Sequence, residues 1–446
     1  MSTLAVARLL ARPTASTRAT LVLPLVAFGI ATALLLTTLA GALSFFRWHD
    51  QLAGSYQLLA VFACALLLVP LVSLGGSAAR LSARRRDDRL ATLRLLGAST
   101  SFVGRLTVLE STALAVAGAV GGVVLYLAMT PLVGLIPFRG EPLGAGALLL
   151  NPLVVTAVVI GVGLLAAASA ALGLRSVVIS PLGVRTKQAA PRPRWVRIVI
   201  GVVVVAVVFG IVTHSDLFGG IAVFVIVLAA AFALVNAILG LVGPFVIRRF
   251  AASGLKRATT PQKLIAARSV LESPKAAWRQ VSGVAMTCFI AVFAGTALAM
   301  IGTVSGDRMP PGQEDLIADI RTGVFITLAI SFLMVACSVG VSQASGILDR
   351  RDLYVSLDRI GMPVKTMNAA RERAVLSPLT TVAVGSCVVA VVLILPLAGV
   401  ALVLAPLSLL TIVANVAAGI LIVWVGLLAT RPVLRRVLAD PTPAGE

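Results

Sequence analysis

The sequence predicts an all-α polytopic membrane protein. It expects about ten transmembrane helices, arranged as two parallel four-helix repeats plus two linking helices, with no large extracellular domain. Three observations predict this. The 446 residues are 59% hydrophobic with a mean hydropathy of +1.05, and only 12% are charged, which is not the balance of a soluble globule. Charge-free stretches of the length a bilayer requires, about 20 residues, recur along the whole chain. Two basic, amphipathic runs then repeat with a spacing of 264 residues, Gly97 in one standing where Gly361 stands in the other.

The spans read as roughly 21–45, 57–79, 107–130, 150–174, 198–213, 219–246, 281–303, 323–346, 376–400 and 408–430. Residues 374–430 carry no charge, and Pro396 and Pro406 bracket a stretch able to turn, which divides them into two spans. A cytoplasmic amino terminus leaves 33 of the 37 Lys and Arg on internal segments, with only Arg47, Arg139, Arg308 and Arg321 outside. Lys and Arg accumulate on the cytoplasmic side of membrane proteins, so the chain is expected to lie in a bacterial plasma membrane with both termini inside. The net charge of +20 is then a topology signal. Spread over six internal segments, it does not make the folded basic surface that nucleic-acid binding requires.

The repeat is legible in register. Amphipathic lead-in helices at 3–18 and 264–279 precede the first and seventh spans, and Pro13 and Pro274, like Arg18 and Arg279, are each 261 residues apart. The expected domains are 1–180 and 262–446, four spans each, joined by 181–261 with two spans. Parallel repeats of this kind build a bundle about an axis along the membrane normal. The external loops 131–149 and 304–322 are too short to bury a core of their own.

The two amphipathic runs are the candidate site. In the first, Arg84, Arg85, Arg86 and Asp88 lead into Leu90, Leu93, Arg94 and Leu96, and Gly97 follows. In the second, Arg350, Arg351 and Asp352 lead into Leu353, Leu357 and Ile360, and Gly361 follows. Apolar residues at helical spacing with charge elsewhere make a short amphipathic helix, and glycine closes it in the left-handed conformation. Ser99 is placed to cap the next helix, and Pro363 fits the opening turn of its counterpart. Such a helix, fastened at both ends to membrane spans, suits docking to a soluble partner. Topology enforcement and contact with anionic lipids are the competing reading of the Arg84–Arg86 cluster.

Chemistry within the chain is sparse. There is no phosphate loop, no HExxH, no Cys or His cluster and no pair of carboxylates in a plausible pocket; His49 and His214 are isolated. Cys64, Cys288, Cys337 and Cys387 all fall in spans without ligand spacing and read as packed thiols. Titratable residues deep in the spans, which proton-coupled carriers use, are missing. No metal or cofactor is expected in the chain, and any driving energy comes from elsewhere. Gly118 and Gly122 form a GxxxG in the third span, where close helix packing is the plain reading. Asn151, Asn236 and Asn415 read as interhelical hydrogen-bonding residues.

The run RRDDRLATLRLLGAST at 85–100, followed by LTVLESTALAVAGAVGGVVLY at 106–126, resembles the FtsX-like permease superfamily, the membrane subunits of MacB-type and BceB-type ABC transporters. Leu93, Arg94, Leu96, Gly97, Ala98, Ser99 and Glu110 carry the resemblance. The second repeat keeps Leu357, Ile360 and Gly361, with Asp358 in the place of the arginine. The resemblance implies a non-enzymatic transport subunit that couples through Arg84–Arg86, Asp88, Leu93, Arg94, Gly97, Arg350–Asp352, Leu357 and Gly361 to a separate ABC ATPase, present in two copies. ATP and Mg would be bound by that partner. The implied cargo is a lipophilic or amphipathic compound such as an antibiotic, peptide or lipid, exported or cleared. The alternatives are a membrane signalling or scaffold protein of the FtsX type, or a carrier that needs no ATPase.

Overall fold

The computed structural model describes residues 15–50, 52–84, 100–178, 221–304, 313–404 and 406–439. They are almost entirely helical. In chain order the helices are α1 Ala15–Phe45, α2 Ala53–Arg84, α3 Thr100–Val133, α4 Pro152–Val178, α5 Ile221–Lys256, α6 Pro261–Glu272, α7 Pro274–Val304, α8 Gln313–Asp349, α9 Arg351–Arg359, α10 Val364–Leu404, α11 Pro406–Leu428 and α12 Arg431–Ala439. Eight helical segments among the described residues are long and apolar enough to cross a membrane, and the chain is a multi-pass membrane protein. Many of their large apolar side chains face outward, Leu153 at 77% and Leu164 at 66% exposed, as lipid contact requires. The predicted fifth span, 198–213, lies outside the described residues, as does the lead-in at 3–14.

The helix ends correct several expectations. α2 runs past residue 79, the expected end of the second span, to Arg84, so Arg84 continues the same helix. α8 starts at Gln313, ten residues before the predicted span; Glu314 and Asp315 of the expected external loop stand in its first turn, where acidic residues are favoured. Asp319 is therefore inside a helix and buried. The second lead-in helix is broken. α6 ends at Glu272, Ser273 is extended (φ −146°, ψ 77°), and Pro274 opens α7, because a residue before proline is driven out of the helical region. α6 packs on α5 and α10, which buries Ala266 and Val270. Pro396 does not end its helix, which runs on to Leu404, and Pro406 opens α11. Asn151 caps α4, its Oδ1 accepting the Leu153 N–H at 2.9 Å, so it serves its own helix and not a neighbour.

The chain divides into two compact units, 1–188 with 340–349 and 189–339 with 350–446. In the first, α3 packs along α1 and α4, and α2 contacts α1 and α4. Gly118 and Gly122 seat directly on α1. A Cβ at Gly122 would lie 2.4 Å from the Gly29 carbonyl oxygen and 2.8 Å from Thr32 Cβ, and one at Gly118 would lie 2.7 Å from the Leu25 oxygen. The backbones meet, as small residues allow in membrane helices. In the second unit α10 packs along α7 through side chains: Val281, Val284, Ala285 and Cys288 meet Val375, Leu379, Val382 and Ala383 in one core. All four cysteines are free thiols.

The α3–α4 connection of the first unit holds structure that the sequence did not announce. Pro137–Phe138 and Glu141–Pro142 pair as a two-residue hairpin, and Ala145–Leu148 forms a 3-10 turn. The turn residues Arg139 (φ 56°) and Gly140 (φ 78°) are both left-handed, the geometry of a tight hairpin. For arginine this conformation costs about 1–2 kcal/mol. The buried Tyr126 hydroxyl donates to the Leu148 carbonyl and accepts the Leu150 N–H at 3.2 Å, fixing the loop onto α3.

Candidate coupling site

α9 is nine residues long, and its apolar members recur three or four apart. None is fully buried: Leu353 is 50% exposed, Leu357 is half-buried, and Ile360 just beyond the helix is 77% exposed. Asp352 and Asp358 are exposed, and Arg351 is half-buried. The carboxyl end closes as the spacing predicts. Gly361 is left-handed at φ 85°, the Met362 N–H reaches the Leu357 carbonyl at 3.0 Å, and the Gly361 N–H reaches the Asp358 carbonyl at 2.9 Å. This pair of bonds is a Schellman motif, which satisfies carbonyls that the helix end would otherwise leave open. The Pro363 carbonyl then accepts from Thr366 and Met367 at 2.9 and 3.2 Å, so α10 starts with Pro363 immediately before it.

Three contacts hold α9 at its base. Arg350, at the junction of α8 and α9, places Nη2 3.4 Å from Oε2 of Glu272 at the end of α6. α12 packs against α9, with its own Leu434 and Val437 buried. Arg431 at the start of α12 meets Glu372 of α10, Nε to Oε1 2.7 Å. Each exposed ion pair is worth about 0–1 kcal/mol; together they set the orientation of α9. On its inner side Tyr354 is near Arg371 and Arg350, and burial pushes its phenol pKa up while these cations pull it down. Arg371 is itself buried, its Nη2 donating to Asn368 Oδ1 at 3.1 Å.

Of the residues singled out from the sequence, Arg350, Arg351, Asp352, Leu357 and Gly361 thus gather on and around one short helix outside the spans. Arg84 is the last described residue of α2, while Arg85, Arg86, Asp88, Leu93, Arg94 and Gly97 lie outside the described residues. α3 begins at Thr100, directly after the predicted cap Ser99. Sequence reasoning missed Glu272, Tyr354, Arg371, Glu372, Arg431 and the whole of α12. The Arg371–Glu372 pair at the base of a span was the available signal, and it was counted only as topological charge.

From Arg84 the chain crosses the basic run and enters α3, whose glycines seat on α1. Over this stretch, residues 60–182, it matches the family model described as FtsX-like permease C-terminal. Residues 60–182 are thus similar to FtsX-like permease domains. The FtsX-like segment takes in most of α2, the run 85–99, α3 and α4, and ends just past the last described residue of α4. FtsX-like permease domains are membrane components of ABC-type systems, transport parts rather than catalysts. No curated protein and no solved structure matches the chain.

Proposed function

We propose that this chain is the permease subunit of a bacterial ABC transporter, in the plasma membrane with both termini cytoplasmic. A separate ATPase, in two copies and carrying the ATP and Mg, drives it. One copy docks on the run 84–97 and the other on 350–361, and the cargo is a lipophilic or amphipathic compound such as an antibiotic, peptide or lipid. The observation that carries this reading is the Leu353–Ile360 face. Two large apolar side chains stand exposed at a charged helix between two candidate spans, and an exposed apolar patch rimmed by charge suits a protein partner. The family match over 60–182, which includes the other docking run, supports the same partner.

Closure of the ATPases would push on the docking helices. The base contacts through Glu272, Glu372 and Arg431 pass that displacement to α6, α10 and α12. The test is recovery of an ABC ATPase, identified by its phosphate-loop sequence, with the tagged chain purified from its native membrane. Leu353→Glu with Ile360→Glu, and separately Arg85→Glu with Arg86→Glu and Arg94→Glu, are each expected to lower recovery of the ATPase at least ten-fold. Undiminished recovery in both variants would overturn the proposal.

A further inference from the structure

The hairpin tip of the first unit meets the α1–α2 loop in an arrangement that the coupling reading does not use. The Arg139 guanidinium lies over the Trp48 ring at 3.9 Å and over the Tyr56 ring at 4.6 Å. Both are within the roughly 6 Å at which an aromatic face attracts a cation. Its Nη2 also meets Asp50 Oδ1 at 3.0 Å. Trp48 and Tyr56 stand edge to face, centroids 4.9 Å apart at 88°. Phe45 backs both, at 5.0 and 5.9 Å, and touches Phe138 of the hairpin at 5.1 Å.

Two crossed aromatic rings and a carboxylate, built on α2 and the loop before it, form a seat for an organic cation. The occupant comes from a different segment, on a turn residue in a backbone conformation that arginine adopts at a cost. Water reaches the site, since the Arg139 side chain is 29% and the Asp50 side chain 48% exposed.

We infer that Trp48, Tyr56 and Asp50 form a binding site for small organic cations of the quaternary-ammonium class, for which Arg139 is a tethered competitor. The aromatic faces prefer a weakly hydrated, diffuse cation, and Asp50 supplies the single balancing charge. A ligand that displaces Arg139 removes its tie to Trp48, Tyr56 and Asp50 and leaves the hairpin held by the Phe45–Phe138 contact. This assignment is independent of any ATPase and is tested on the purified chain alone.

The experiment is equilibrium binding of radiolabelled tetraethylammonium to the full chain in detergent, with sodium chloride keeping ionic strength constant. Arg139→Gly removes the competitor and suits a left-handed turn, so it is expected to bind one equivalent at least ten-fold more tightly than the wild type. Adding Asp50→Asn or Trp48→Leu to that variant is expected to weaken binding at least ten-fold. Equal affinity of Arg139→Gly and wild type, or unchanged affinity after the second substitution, would overturn the inference. So would a fall in Tm of Arg139→Gly without binding, the mark of a purely structural clasp. If Arg139→Gly does not fold, Arg139→Asn, also tolerant of the left-handed region, is read by the same outcomes.

Discussion

The α1–α3 pair of the first unit and the α7–α10 pair of the second are both long, intimate helix contacts, but they are built from different material. In the first, glycine faces backbone: Gly122 is against the Gly29 carbonyl and Gly118 against that of Leu25. In the second, valines, alanines, Leu379 and Cys288 interlock, and elsewhere in that unit two glycines receive side chains of α8. Gly283 accommodates Val335, and Gly419 the ring of Phe332, which a Cβ would approach to 2.1 Å. The units are also tied at different places. The first is fastened at its α1–α2 and α3–α4 loops by Arg139, the second at the base of α9 by ion pairs. A side chain that obstructs can be trimmed by a second mutation and a backbone cannot, so the two units should differ in whether their lesions are repairable.

The largest expected effect follows from that difference. Gly122→Ala forces α1 and α3 apart and should destabilise the protein by about 1–3 kcal/mol in detergent unfolding, the usual range for overpacking, with no single partner truncation restoring it. Gly419→Ala should cost a similar amount alone and regain much of it with Phe332→Ala, a coupling that a double-mutant cycle reads directly. Equal rescue in both units, or none in either, would break the contrast.

A smaller effect is expected at Gly361. Gly361→Ala places a Cβ on a residue at φ 85° where nothing lies within 4 Å, so only backbone strain of about 1–2 kcal/mol applies, and Gly361→Asn should cost less. Unfolding curves of the two variants check the order.

The smallest effect is one of pH. The hydrogen bond from Arg139 holds the exposed Asp50 carboxyl below its ordinary range. A carboxylate with a depressed folded value contributes fully above its unfolded pKa, about 3.9, and loses the contribution as pH falls through the folded value. The difference in Tm between wild type and Asp50→Asn should thus be constant from pH 7 to about pH 5 and shrink only in stronger acid. A difference that vanishes near neutrality would contradict the Arg139–Asp50 tie.

Much of this was readable in the residues. Gly118 and Gly122 announced a close contact because their four-residue spacing puts both on one helix face, and Gly361 announced a helix end because it follows the last periodic apolar residue. The same reading failed where partners are distant in sequence: Arg350 with Glu272 and Arg431 with Glu372 are 78 and 59 residues apart, and helical periodicity describes only neighbours on one helix. The break at Ser273–Pro274 was written in the dipeptide and overlooked in favour of the repeat register. The hairpin was hidden for another reason. Arg-Gly is an unusual pair for so tight a turn, and its compensation comes from Trp48 and Tyr56, more than 80 residues upstream.

The passage from α9 to α10 is unusually short on freedom. Gly361 and Met362 are already bonded to the turn behind them and Pro363 to the turn ahead, and proline's ring permits little rotation about its own N–Cα bond. Beyond it α10 runs for 41 residues, about 60 Å at the usual rise, with Pro378 and Pro396 inside it as points where a helix bends. A tilt of α9 would therefore reach α10 directly, through three residues with little freedom to absorb it.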